Sequence, residues 1–437
     1  MASARAALLS AVLLQPVAIG ASVGVIVASS PRARGAKEIE RLRDRPLERD
    51  MPKRAKKTSG QPEAKRQAAT PLLFAGTGGY GQHAVSDAPG FGQGAGKQAK
   101  KGVLPLSGTA SARSGKLMAM PFHAGWLAYS PLSRHMYAAG DTDIHALALS
   151  ADGSLTRKGS VDSLGGAAFL EISKDGRWLL SANYGSGDMA VFPLSNDGSI
   201  GAATDSKHHY ADLDPKLADR QESCHPHQIR LDPASNKWAL ACDLGADTVW
   251  VYAFDAQRGA LSGALNSARH LRLPAGSGPR HLDFHPNGKW VFVLCELSAM
   301  VLTCEWDGAR GELSARHSVY SMPKGKKCAR AHHSGTAHIL VGAGGRSIYV
   351  TTRTDNCLVV FDVQKDGSLR LAQRVSTRGV CPRNFILDKG HLRLLNQDSQ
   401  NLVEWQLAPD GKVVEPPLVS ATPGVCGWVL CSCDAKP

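Results

Sequence analysis

The chain has 437 residues, of which 43% are hydrophobic and 20% charged, so it is long enough to bury a large core. The formal net charge is +13, but residues 1–70 hold 14 Lys or Arg against 6 Asp or Glu and account for +8 of it. The remaining residues carry only +5, which argues against nucleic acid as a partner of the folded part.

The N-terminal 70 residues differ in composition from the rest of the chain. Residues 1–36 contain no acidic residue, and Ala6–Ser29 is nearly all small and apolar, with Arg5 before it. This composition predicts a signal, targeting or anchor segment over residues 1–36, with membrane contact only if that segment stays uncleaved. Residues 37–70 are charged and poor in apolar residues, which predicts a disordered basic linker.

Cysteine usage bears on the compartment. All ten cysteines lie at or after Cys224, none forms a CxxC pair, and most sit inside apolar runs. We therefore expect buried, reduced thiols, which argue against an oxidising lumen. Together with residues 1–36, they favour a plastid or another organelle, with the cytosol as the alternative. The spacing does not suit zinc, and we predict neither a metal nor another cofactor.

From residue 127 onward one pattern recurs. Each copy has an apolar strand, a tight turn, a second apolar strand that ends in a polar residue, a loop and a third strand. The copies cover Leu127–Leu155, Phe169–Ala202, Ile229–Leu261, Leu282–Leu313, Ile339–Leu369 and Phe385–Val413. Such repeats of short strands are typical of the four-stranded antiparallel blades of an all-β propeller. We expect strands near Leu72–Gly76 and Gly427–Leu430 to close the ring.

Polar residues occupy two corresponding places in these repeats. Residues at the start of the first strand and at the end of the second strand share one face of a propeller, beside its central channel. The first set holds His225, His227, Arg280, His281 and Arg383, and the second holds Asn183, Asp243, Glu296, Arg353 and Gln397. A convergent polar cluster in a concave mouth predicts a functional site, and its arginines suit a multiply charged anion. Asp243 and Asn183 could instead fix their own loops.

The same residues carry a family resemblance. The chain resembles the lactonase family of seven-bladed β-propellers, whose best-known members are 6-phosphogluconolactonases. The resembling stretches are Ala182–Gly187, His225–His227, Asp243–Asp247, Gly278–His281, Glu296–Leu297, Pro382–Phe385 and Pro423–Cys426. The resemblance implies a seven-bladed domain over residues 71–437 and a catalytic set of His227, Arg280, Glu296 and Arg353. Departures from the family pattern are Gln228, Cys295, Thr352 and an insertion over residues 81–115.

The resemblance also implies a reaction. It is metal-independent attack of water on 6-phospho-D-glucono-1,5-lactone, which yields 6-phosphogluconate in the pentose phosphate pathway. Glu296 or His227 would take the proton from water, and Arg280, with His281 near it, would stabilise the oxyanion. Arg353 and Arg383 would hold the phosphate, with His225, His281, Asp243, Asn183 and Gln397 as further substrate contacts.

Other functions remain open at this point. The same four catalytic residues would serve a muconate-type lactonizing cycloisomerase. A non-catalytic propeller scaffold that binds proteins and a calcium-dependent propeller lactonase are further alternatives. A serine nucleophile is disfavoured because no GxSxG motif occurs after residue 70. The expected partner is a small sugar-phosphate lactone, and we expect a monomer.

Overall fold

The computed structural model describes residues 72–77, 101–106, 117–263, 270–323, 335–422 and 429–433. Within these ranges the chain forms seven antiparallel sheets and a single short 3-10 helix, Pro215–Leu217. This confirms the predicted seven-bladed β-propeller. No helix of this part of the chain combines the length and the apolar character needed to cross a bilayer. The predicted segments 1–36 and 37–70, and most of the 81–115 insertion, lie outside the described residues.

The blades are numbered in chain order, and the strands of each are given from the innermost outward. Blade 1 consists of Val429–Cys433, Leu72–Gly76, Gly102–Leu106 and Met118–Ala119. Blade 2 consists of Trp126–Ser130, His135–Ala139, Asp143–Leu149 and Leu155–Asp162. Blade 3 consists of Ala167–Ile172, Trp178–Asn183, Asp188–Pro193 and Asp205–His208.

Blades 4 to 7 follow the same order. Blade 4 consists of Pro226–Leu231, Trp238–Asp243 and Thr248–Asp255, with Ala260–Ser262 and His270–Arg272 both paired to its third strand. Blade 5 consists of Pro279–Phe284, Trp290–Cys295, Met300–Asp307 and Glu312–Tyr320. Blade 6 consists of Thr336–Val341, Ser347–Thr352, Cys357–Val363 and Leu369–Ser376. Blade 7 consists of Pro382–Asp388, His391–Asn396, Asn401–Gln406 and Leu418–Ala421.

Blade 1 joins the two ends of the domain. Its innermost strand, Val429–Cys433, pairs antiparallel with Leu72–Gly76, from Leu72 opposite Cys433 to Gly76 opposite Val429. The predicted ring closure is thus confirmed, with the C-terminal strand running to Cys433. The shared sheet leaves neither end of the domain as an unpaired inner edge, which is how a propeller avoids exposed strand edges.

The sequence pattern of each blade follows from how the blades pack. Every residue of the second strands Trp178–Asn183, Trp238–Asp243 and Trp290–Cys295 is buried, because both faces of these strands pack against neighbouring blades. The outermost strand Glu312–Tyr320 is mostly exposed. The apolar runs therefore form the core between blades, and the polar residues that end them are placed at one face of the ring.

The cysteines behave as predicted. The eight cysteines in the described ranges are free thiols, and seven of them are buried. Cys242, Cys295 and Cys304 lie in one apolar cluster between blades 4 and 5. Burial raises the pKa of the Cys304 thiol to about 12, so at neutral pH it stays protonated and packs as a small apolar group.

Candidate functional site

A cavity of about 260 Å³ opens at the face where the polar strand ends meet. Eight of its eleven lining residues are charged, histidine or tyrosine side chains. The lining consists of Gly125, Trp126, Ala168, Tyr184, Arg220, His227, Arg280, His281, Glu296, Arg353 and Arg383. All four residues predicted as catalytic are among them, together with His281 and Arg383 from the predicted substrate contacts.

A repeated backbone irregularity turns three of these side chains into the cavity. In blade 4 the register passes from Pro226 to Gln228, so that His227 is the extra residue of a bulge. Arg280 and Arg383 hold the same place in blades 5 and 7. A bulge redirects its extra side chain, and the proline before each one starts the strand, where no ladder N–H is needed. The repeat thus places one histidine and two arginines around the same opening.

Glu296 and Arg353 reach the cavity from second strands. Glu296 directly follows Trp290–Cys295 in blade 5, and Arg353 directly follows Ser347–Thr352 in blade 6. The Glu296 side chain is 1% exposed and binds three arginines. Its Oε1 lies 2.8 Å from Nη2 of Arg220 and 2.8 Å from Nη2 of Arg353, and its Oε2 accepts from Nη1 of Arg280. Both carboxylate oxygens are therefore occupied by guanidinium groups.

The cavity carries excess positive charge. Burial alone would raise the pKa of Glu296, but the charges of Arg353, Arg280 and Arg220 hold it well below its usual value. Burial and the charge of Arg353 lower the pKa of Arg383 to about 10 and contribute to lowering that of Arg280 to about 9. Both arginines stay protonated at neutral pH. Among the described lining residues, four guanidinium groups thus face one carboxylate, an arrangement that suits an anionic ligand.

Two neutral histidine rings complete the polar lining. Burial and the charge of Arg280 hold the pKa of His227 well below its usual 6.5. Burial has the same effect on His281, whose ring lies 5.2 Å from that of His227. His227 Nδ1 and His281 Nε2 are buried and have no hydrogen-bond partner among the residues that the structure describes. At neutral pH each ring therefore offers a nitrogen for hydrogen bonding or proton transfer.

Four predicted substrate contacts, Asn183, His225, Asp243 and Gln397, are not among the residues that line the cavity. Asp243 is fully buried and accepts from the backbone N–H groups of His225 and Ala246. Asn183 donates to the carbonyl of Ser163 at 2.6 Å. These contacts fit the alternative in which both residues fix loops, because backbone groups that lack a ladder partner must be satisfied by side chains.

His225 and Gln397 act one layer behind the cavity. The His225 ring donates through Nδ1 to the carbonyl of Tyr184 and stacks on the Tyr184 ring at 4.3 Å. Gln397 accepts from Nη1 of Arg383 at 3.3 Å. Both residues therefore support lining side chains and do not themselves line the cavity.

Three lining residues, Arg220, Tyr184 and Trp126, were not among the predicted site residues. Arg220 lies in the connection between blades 3 and 4, outside the repeat, so no strand position indicated it. Its side chain is 25% exposed, in contrast to 3% for Arg353 and 4% for Arg280. Trp126 is the first residue of the inner strand of blade 2. At such a position a half-buried aromatic residue is usually part of the core.

The described residues contain no group of three or more His, Cys, Asp or Glu side chains arranged to hold a metal ion. His227, His281 and His338, which could have formed such a group, lie near one another, but His281 and His338 bind each other through Nδ1.

Comparison with known proteins places this geometry in a family context. Residues 102–416 match the family model described as "Lactonase, 7-bladed beta-propeller". Among curated relatives, the 6-phosphogluconolactonase of Bacillus subtilis is 32% identical over 54% of this chain, and the alignment covers 65% of its own length, just under two thirds. The 6-phosphogluconolactonase of Pectobacterium carotovorum is 29% identical over 66% of this chain and 81% of its own.

Solved structures agree with the architecture. A protein from Lactobacillus plantarum matches with a TM-score of 0.71 at 25% identity, over 84% of this chain and all of its own. The periplasmic gluconolactonase of Pseudomonas aeruginosa matches with a TM-score of 0.68, also at 25% identity and over 84% of this chain. Both comparisons extend over the whole of the other protein.

Proposed function

Since this chain belongs to the lactonase family of seven-bladed β-propellers, we propose that it hydrolyses 6-phospho-D-glucono-1,5-lactone to 6-phosphogluconate, a step of the pentose phosphate pathway. The observation that carries the choice of substrate is the surplus of buried positive charge. Four arginines and one carboxylate line a cavity of about 260 Å³. A dianionic phosphate offsets that surplus, whereas a neutral sugar lactone leaves it in place.

The phosphate is held by Arg383 together with Arg353. Arg383 reaches the cavity from a bulge, is only half-buried, and contacts Gln397 at 3.3 Å, a neutral side chain. Arg353 lies on the same side of Glu296 as Arg220, since both bind its Oε1. Paired N–H groups of guanidinium match phosphate oxygens in spacing and charge.

The chemistry follows from the remaining lining residues. His227 takes the proton from the attacking water, and Arg280 stabilises the oxyanion that forms at the lactone carbonyl. The ring C–O bond of the tetrahedral intermediate then breaks, and the leaving oxygen takes the proton back from His227. Glu296 is a poor base here because both of its oxygens bind arginines, and it serves to orient them.

The similarity to a gluconolactonase supports a second candidate, hydrolysis of an unphosphorylated lactone. The muconate-type cycloisomerase is a third, because it would use the same four residues. We expect the full chain to have a higher kcat/KM for the phosphorylated lactone than for glucono-1,5-lactone, measured by coupling the product to its dehydrogenase. Equal kcat/KM values would favour the gluconolactonase, and no hydrolysis of either lactone would overturn the proposal.

Replacing Arg383 by Ala tests the phosphate contact. We expect KM for the phosphorylated lactone to rise about 10–150-fold, since losing a charge-assisted contact costs roughly 1.5–3 kcal/mol. KM for the neutral lactone should change little, and competitive inhibition by inorganic phosphate should weaken in parallel. Arg378→Ala is the matched control, because Arg378 lies beside the same blade but is exposed and pairs with Glu415 at 3.0 Å. If Arg383→Ala prefers the phosphorylated lactone as strongly as the parent, another group holds the phosphate.

A further inference from the structure

A pair of buried histidines extends from the cavity into the central channel. His281, on the inner strand of blade 5, lines the cavity, and His338, on the inner strand of blade 6, lies behind it. Their Nδ1 atoms are 2.7 Å apart, and the rings meet edge to face at 4.9 Å. The side chains are 2% and 4% exposed. A contact between two ring nitrogens at this distance is a hydrogen bond in which one ring donates and the other accepts.

The pair is held firmly in place. The His281 ring packs edge-on against Trp126 at 5.8 Å and Phe169 at 5.7 Å. The His338 ring packs against Phe385 at 5.0 Å, and its backbone N–H donates to Oγ1 of Thr351. Three blades therefore confine the two rings, and the Nδ1 contact leaves Nε2 as the ring nitrogen of His281 that His338 does not engage. That atom is buried and has no partner among the described residues.

The charged groups around the pair keep both rings neutral. His281 is close to Arg280, Arg383 and the neutral ring of His227, and His338 is close to Arg230 and Arg280. Burial, with these arginines, lowers the pKa of His338 to about 3 and holds that of His281 well below 6.5. A neutral imidazole has one N–H and one lone pair, so the Nδ1 contact decides what Nε2 of His281 can do.

The lactone carbonyl oxygen, on which negative charge develops during the reaction, can only accept hydrogen bonds, so a ring nitrogen that contacts it must donate. We infer that His338 is a positioning residue that donates Nδ1–H to Nδ1 of His281 and so fixes His281 as a neutral Nε2–H donor to the lactone carbonyl oxygen. His281 then donates this hydrogen bond beside Arg280 as negative charge develops on the carbonyl oxygen, without any proton transfer. The substrate's identity in this inference rests on the proposed function, whereas the state of the histidine pair does not.

The kinetic test uses the full chain with His338 replaced by Leu or by Asn. Leu cannot donate, and we expect kcat to fall about 10–100-fold, the scale of a misplaced contacting group. KM and inhibition by inorganic phosphate should stay within about two-fold, because the arginines are unchanged. Asn carries an amide N–H near the position of Nδ1, and we expect it to restore kcat to within about three-fold of the parent. Equal losses in both variants, or an unchanged kcat in the Leu variant, would overturn the inference.

The second test does not depend on activity. In the full chain labelled with ¹⁵N-histidine, the shifts of His281 should show a protonated Nε2 and an unprotonated Nδ1, and His338 the reverse. His338→Leu should convert His281 to a mixture of tautomers. A parent whose His281 carries its proton on Nδ1 would overturn the assignment, even if the Leu variant does not fold. A parent with the expected tautomers but no lactone hydrolysis would instead contradict the proposed function alone.

Discussion

Replacing His227 by Gln is expected to lower kcat by about 10²–10⁴-fold, the usual loss when a proton-transfer group is removed. Gln is similar in size but cannot accept a proton at neutral pH. His227 lines the cavity from a bulge, and its Nδ1 has no hydrogen-bond partner among the described residues. KM should change by only a few-fold, because the arginines that bind the anion remain. Steady-state kinetics on the phosphorylated lactone measure both quantities.

A pH profile checks the same assignment in the parent. Because the pKa of His227 lies well below 6.5, the ring stays unprotonated at neutral pH and gains a proton only on acidification below that value. The acid limb of kcat/KM for a neutral lactone should therefore lie below pH 6.5; a neutral lactone is used because phosphate itself ionises near pH 6. His285→Asn is the control, since His285 Nε2 donates to the carbonyl of Gly345, away from the cavity. If kcat of the His227→Gln variant stays within a few-fold of the parent, another group must act as the base.

Much of this site could be predicted from the sequence, because a propeller repeats its geometry. The polar residue after each apolar second strand must lie at one face, and this rule alone places Glu296 and Arg353 beside the channel. The same repeat brings His227, Arg280 and Arg383 to that face. What the sequence did not show is why these three point inward, since the bulge after each proline is visible only in the strand register.

The predicted contacts that lie outside the lining show the limit of this rule. Asp243 and Asn183 are the last residues of second strands, and Arg353 directly follows one. The side chains of Asp243 and Asn183 nevertheless bind backbone groups of neighbouring loops. A strand position determines the face of the ring but not the direction in which the side chain turns. Arg220 was missed because it comes from a connection of irregular structure, whose path depends on distant anchors such as the contact between His209 and Asp243.

Replacing Glu296 by Gln is expected to reduce the free energy of unfolding by about 3–5 kcal/mol, the cost of breaking a buried ion pair by removing one partner. Three arginines lose their counter-charge, and two of them are at most 4% exposed. The pKa of Glu296 in the folded state is well below its usual 4.5. Its contribution is therefore fully present above pH 4.5 and is lost only as the pH falls through the lower, folded-state value. Urea unfolding of both proteins at pH 7 measures the difference.

Inorganic phosphate should restore stability to the Glu296→Gln variant more than to the parent, because it supplies the missing negative charge to the same arginines. A ligand present at 100 times its Kd adds about 2.7 kcal/mol, which is comparable to the expected loss. Glu404→Gln is the matched control, since Glu404 is also buried and pairs with Arg393 at 2.5 Å outside the cavity. That variant should lose stability as well, but phosphate should raise its melting temperature no more than it raises that of the parent. Equal effects of phosphate on both variants would mean that the anion acts on the protein generally and does not bind at the arginine cluster.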